Sequence, residues 1–238
     1  MKLLKQHPGQ EERRIGKSIY LPFSTGALLV ISSLTAFAML GYRVFATGTF
    51  YYFFLLWNLF LAWLPYLISI LFKKRHSFLE NRWKTIALFA SWLVLLPNCP
   101  YLLTDLVHLR VREFIPLWFD ALLIVVFAWT GLLLGLKSIS NVHGYLRSMF
   151  PVFISRIMLG FIILSCSFGV YVGRILRWNS WDFIIRPVPL AKSILAQFLH
   201  PFHHQQSFGM TLAFSLFLTV SYYTLLVFSG SMSKQGKD

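Results

Sequence analysis

The residues able to do chemistry gather where an apolar block breaks at Pro97-Asn98-Cys99-Pro100 and resumes with Thr104, Asp105, His108 and Arg112. The last four follow i, i+3 and i, i+4 spacing, which on a helix gathers their polar tips on one face. Leu102, Leu103, Leu106, Val107 and Leu109 take the other positions. Such a stripe suits an outward-facing cavity that holds a substrate headgroup. With Asp105 or His108 as general base it also suits an enzyme acting on a lipid or lipid-linked substrate. The plainer alternative is an interfacial helix whose polar side meets water. Asp105 and His108 alone are too few ligands for a metal site, which would need Asp120 or Asp182 to converge on them. Neither metal nor other cofactor is expected.

Other candidates lie nearby or later in the chain. The two prolines free backbone carbonyls near the end of a span, and broken helices at membrane depth commonly line ligand sites. The alternative is a kinked helix end with Asn98 as its cap. Asp120 falls in the first turns of a helix opened by Pro116, where the dipole alone favours an acid; Arg174 or Arg177 are plausible partners. Arg174 and Arg177, three apart, read as a fork for phosphate or carboxylate. Their alternative is pairing with Asp105, Asp120 or Asp182. Trp178 and Trp181 fit an aromatic belt at headgroup level, and Asn179 and Asp182 complete that stretch. His200, His203 and His204 resemble a metal tract but read better as a solvated loop.

The elements that must position these groups are membrane helices. Of 238 residues 57% are hydrophobic and only 13% charged, too apolar for a soluble domain of this size to cover. The apolar residues come in blocks of about 20, enough to cross a hydrocarbon core of roughly 30 Å. The blocks are continuous rather than alternating, which specifies helices and not a barrel. A net charge of +14 would suggest nucleic acid in a soluble protein. Here the basic residues sit in short loops, where they set orientation and meet anionic headgroups. The lipid bilayer is therefore the expected partner, with no nucleic acid. Cys99 and Cys166 lie in or beside apolar runs and read as small core residues. The first run lacks an Ala-x-Ala-type cleavage site and is expected to be retained.

The spacing predicts an all-α polytopic protein with six spans: about 19–42, 50–72, 85 to the break at Pro97, 116–136, 151–173 and 207–228. From 85 to the break is only about 20 Å of helix, so the chain either kinks through the prolines or unwinds there. Residues 1–18 form a basic tail, 19–228 one membrane domain and 229–238 a second tail. A loop is expected at 137–150 and a longer one at 174–206, with an interfacial helix around 190–200. Fourteen Lys and Arg fall on the side of the termini. Seven fall opposite: Arg43, Arg110, Arg112, Arg174, Arg177, Arg186 and Lys192. By the positive-inside rule both termini face the cytoplasm. That places Asp105, His108, Arg110, Arg112, Glu113, Asp120, Arg174, Arg177 and Asp182 together at the outer face.

Three stretches carry a resemblance. Leu96-Pro-Asn-Cys-Pro-Tyr-Leu-Leu-Thr-Asp-Leu-Val-His-Leu109, Pro116-Leu-Trp-Phe-Asp120 and Gly169-Val-Tyr-Val-Gly-Arg-Ile-Leu-Arg-Trp-Asn-Ser-Trp-Asp182 resemble the bacterial and cyanobacterial membrane proteins grouped as domain of unknown function 1361. Cys99 stands where that family has Ala, a small-for-small difference. The resemblance implies a multi-pass protein of a bacterial inner membrane and carries no activity. The residues themselves favour binding or transport of an anionic solute or lipid headgroup at the outer cluster, with a membrane enzyme and a structural or assembly subunit as alternatives.

Overall fold

The computed structural model describes residues 24–74, 81–111, 115–199 and 205–234, with backbone alone at 198 and 229–234. Over these residues the chain is all-α, and six segments are long and apolar enough to cross a membrane. They are α1 (Thr25–Thr47), α2 (Phe54–Lys73), the broken third segment, α5 (Leu117–Met149), α6 (Val152–Arg174) and α9 (Gln205–Lys234). The third consists of α3 (Arg82–Leu95), a single turn α4 (Asn98–Tyr101) and a 3-10 run, Leu102–His108. Between α6 and α9 lie the short α7 (Asp182–Ile185) and α8 (Pro187–Leu199).

Local chemistry accounts for the ends. The Ser24 hydroxyl accepts from the Ala27 N–H, and Gly48 closes α1 in the left-handed conformation with its N–H on the Val44 carbonyl. The Asn81 side chain accepts from the N–H groups of Trp83 and Lys84 at the start of α3. Prolines 116 and 151 precede the first helical residues of α5 and α6.

Three boundaries differ from expectation, one of them the end of α9, which continues to Lys234 past the expected 228. Helix α1 runs to Thr47, so Arg43 belongs to its last turns and not to a loop. The loop expected at 137–150 is helix as far as Met149. No proline interrupts it, and its polar residues find partners in the bundle: Ser138 donates to the Pro65 carbonyl (2.9 Å), Asn141 to Ser69 (3.0 Å), and His143 Nδ1 meets Tyr222 (2.8 Å). At 33 residues α5 is about 50 Å long, well beyond a hydrocarbon core.

That helix is also the centre of the molecule. More than half of its apolar stretch is buried, against a third or less in each of the other five segments. Helices α1, α2, α6 and α9 pack on it, as do α4 and the 3-10 run. One apolar cluster joins α1, α2 and α5, and a second joins the end of α2 with α3, α5, α6 and α9. Large apolar side chains such as Phe60, Trp129, Phe161 and Leu216 remain exposed on the outside of the bundle, where lipid is the compatible surrounding.

Candidate functional site

Pro97 and Pro100 have no N–H to offer the carbonyls of Leu93 and Leu96. The ladder is repaired locally: the Cys99 N–H turns back to Leu96 (3.1 Å) and the Tyr101 N–H to Pro97 (3.0 Å). The Asn98 amide donates to the Leu95 carbonyl (2.8 Å) and across to the Ser180 hydroxyl (3.0 Å). Asn98 therefore caps the carboxyl end of α3 and ties it to the loop after α6. The chain stays helical through the break instead of unwinding.

Paired glycines on the two flanking helices make room for this turn. A Cβ on Gly131 would lie 2.7 Å from the Cys99 carbonyl oxygen, and one on Gly135 2.7 Å from the Cys99 Cβ. On α6 a Cβ at Gly169 would lie 2.9 Å from the Pro97 Cβ, and one at Gly173 3.3 Å from the Tyr101 ring. Gly131/Gly135 and Gly169/Gly173 are both four apart, so each pair stacks on one helix face and admits the backbone of the broken segment. The Cys99 thiol is buried there, 3.3 Å from the Ala62 carbonyl, and both cysteines are free.

Beyond the break the 3-10 geometry changes which residues share a face. With three residues per turn, Asp105 and His108 fall in one row, and Thr104 falls in the row of Tyr101 and Val107. The single polar stripe expected from α-helical spacing is thereby divided. Thr104 donates to the Tyr101 carbonyl (2.6 Å). Arg112 and Glu113 lie outside the described residues.

Asp105 and His108 meet Arg174, the last residue of α6. Its guanidinium lies 3.5 Å from Asp105 Oδ1, 3.5 Å from the Tyr101 hydroxyl and 3.3 Å from His108 Nε2. Asn58 on α2 donates to the other Asp105 oxygen (2.8 Å). Arginine only donates, so His108 accepts at Nε2 and carries its proton on Nδ1. The Phe54 ring packs edge-on against the imidazole, 5.1 Å between centroids. Asp105 is buried while Arg174 keeps partial exposure.

Asp120 pairs elsewhere. Its carboxylate receives Arg43 of α1 in a two-point contact, Nε to Oδ1 at 2.8 Å and Nη2 to Oδ2 at 3.3 Å. Arg43 also donates to Thr49 (3.0 Å) and stands 4.5 Å over the Tyr52 ring. Neither Arg174 nor Arg177 is its partner.

The expected Arg174/Arg177 fork does not form as a helical pair, because α6 stops at Arg174. Arg177 lies beyond it at φ 58°, exposed, and makes no ion pair among the described residues. Asp182 is buried and accepts from the Asn179 N–H (2.8 Å) at the start of α7, a local turn rather than an arginine pair.

A cavity of about 380 Å³ opens beside this network, between α2, the end of α3, the break, α6, α8 and residues 178–183. Of the residues anticipated from sequence, Asn98, Trp178, Asn179 and Trp181 line it. Trp57 faces Trp181 across it with ring centroids 6.3 Å apart. Asp105, His108 and Arg174 are not in the lining; they stand behind Asn58 and Tyr101, which are. Leu93, Val94, Phe168 and Ile194 supply the apolar wall. Asn58, Tyr101, Arg43 and the glycine pairs were not among the site residues expected from the sequence. A lone amide and an arginine within apolar blocks, and two Gly-x-x-x-Gly repeats, were the available signals.

Among the described residues no group of three or more His, Cys, Asp or Glu could hold a metal ion. His200, His203 and His204 lie outside those residues. No curated protein and no solved structure matches the chain. Residues 57–221 match the model of a family described as a protein of unknown function, DUF1361. That match takes in the broken segment, both glycine pairs, Arg174 and the whole cavity lining, and the chain belongs to this family.

Proposed function

We propose that this multi-pass membrane protein binds an anionic lipid, or a solute with the same headgroup chemistry, in the cavity beside the broken helix. The role is one of binding or transport at the outer face of a bacterial inner membrane, with both termini in the cytoplasm. The observation that carries it is an imbalance at this end of the molecule. The acids Asp105, Asp120 and Asp182 are buried and engaged by partners. Arg110, Arg177, Arg186 and Lys192 are exposed and make no ion pair among the described residues. Spare cations at the same end as an aromatic and apolar cavity suit an amphiphile: acyl chain against Leu93, Val94, Phe168 and Ile194, polar groups against Asn58, Asn98 and Asn179, and the anion toward Arg177, which is outside the lining but adjoins Trp178 in the chain.

Two variants test this. Val94→Trp fills the cavity, and Arg177→Gln removes the cation next to Trp178. Native mass spectrometry of the protein extracted with its lipids should show the first losing bound lipid. The second should shift retention from anionic toward zwitterionic lipid by roughly five-fold, the effect of about 1 kcal/mol per charge. An identical lipid complement in folded wild type and both variants would remove the proposal.

A structural or assembly subunit is favoured by one observation, the mutual pairing of Arg43 with Asp120 and of Arg174 with Asp105. It predicts that filling the cavity leaves function in the cell unchanged. The enzyme reading draws least support, because the point shared by Asp105 and His108 is taken by the Arg174 guanidinium.

A further inference from the structure

The opposite end of the bundle holds a second concave site, formed by α2 and α5 and enclosing about 310 Å³. Lys73, the last residue of α2, lies about 22 Å of helix away from Asn58 and the Asp105 network. Lys73 and Lys137 both line the site, together with Asn141 and Tyr145. Among the described residues neither lysine makes an ion pair, and no carboxylate is in the lining. Asn141 uses one amide N–H on Ser69 and keeps a second. Gly144, also in the lining, leaves open space where a Cβ would stand.

Two like charges bordering one hollow repel each other; Lys137 is half-buried on the central helix and Lys73 is exposed. Charged groups half-buried between membrane helices are kept where they meet a partner. A lysine acts on phosphate as a point charge, and basic hollows between membrane helices are suited to phospholipid headgroups. We propose that this site binds a phosphate group between Lys73 and Lys137, on the side of the molecule away from the broken helix. It is independent of the outer cavity and of the function assigned there.

The test uses the full chain and its melting temperature in two titrations. One adds inorganic phosphate in detergent. The other compares phosphatidylcholine vesicles with and without phosphatidylglycerol. Wild type should be stabilised by at least one anion: by phosphate if the free ion is the ligand, by phosphatidylglycerol alone if the headgroup is. Lys73→Gln and Lys137→Gln should each weaken the half-saturating concentration about five-fold, and Lys74→Gln, exposed and outside the lining, should not. Gly144→Leu fills the hollow without altering charge and should abolish the response, while Lys137→Arg should retain it. The proposal is overturned if neither anion stabilises wild type, or if Lys74→Gln weakens the response as much as the lining lysines. It is equally overturned if Lys137→Gln melts lower than wild type with no anion present, since a carboxylate of the chain would then already neutralise the pair.

Discussion

Arg43 and Asp120 illustrate how a buried ion pair acts in this protein. Both side chains are about 2% exposed, and Thr49 and the Tyr52 ring complete the arginine's surroundings. In such a setting the desolvation of two charges roughly cancels their attraction, whereas removing one partner strands the other. Arg43→Met should therefore cost about 3–5 kcal/mol, and so should Asp120→Leu. The double variant Arg43→Met with Asp120→Leu should recover most of that loss. Chemical unfolding in detergent measures all three, and equal losses in single and double variants would deny the pairing. The Arg174 network differs in kind. Its contacts to Asp105 and Tyr101 are long, at 3.5 Å, and the guanidinium is partly exposed. The guanidinium reaches the cavity wall through Tyr101.

At the level of the element, the broken third segment depends on its neighbours for space. The glycine pairs on α5 and α6 let Pro97, Cys99 and Leu102 approach the helix backbones. Gly131→Ala or Gly169→Ala places a methyl group inside that contact and should destabilise by about 1–3 kcal/mol, the usual effect of overpacking. Gly160→Ala, on α6 where a Cβ meets nothing within 4 Å, should instead be neutral or stabilise by up to about 1 kcal/mol through helix propensity. Thermal melting of the three variants checks the contrast. Equal behaviour of Gly160→Ala and Gly169→Ala would mean that the break does not rest on α6. A second bridge holds α3 upright on the same side: the Trp92 indole donates to Ser138 (2.8 Å), which donates to the Pro65 carbonyl (2.9 Å). This chain of two bonds links α3, α5 and α2 and satisfies each buried polar group it crosses.

For the whole molecule the two ends differ in charge. Among the described residues one end carries the engaged acids and the cavity, the other the Lys73 and Lys137 hollow, with Lys74, Lys84 and Arg147 at the helix ends on that side. If the more basic end is cytoplasmic, single cysteines introduced as Val111→Cys and Lys84→Cys in a chain lacking Cys99 and Cys166 label from opposite sides. A membrane-impermeant maleimide added to intact cells should reach Val111→Cys and spare Lys84→Cys. The reverse result inverts the orientation and moves the proposed lipid site to the cytoplasmic leaflet.

Much of this was legible in residue types and lengths. Apolar blocks of bilayer length, continuous rather than alternating, specify six spans because backbone groups in lipid must bond within their own segment. Pro97 and Pro100 specify the break, since two missing N–H groups interrupt any ladder there. The meeting of Asp105 with Arg174 was open in the sequence as one pairing among several, because pairing depends on which helices are neighbours. Only packing decided that Asp120 belongs to Arg43, that Asn58 completes Asp105, and that Arg177 makes no ion pair among the described residues. It also decided the 3-10 winding that separates Thr104 from Asp105 and His108. Periodicity reports which face of a helix is apolar, but tertiary contact selects the partner and the local pitch. The cavity exists where the glycines of α5 and α6 admit a turn that no single segment of the sequence specifies.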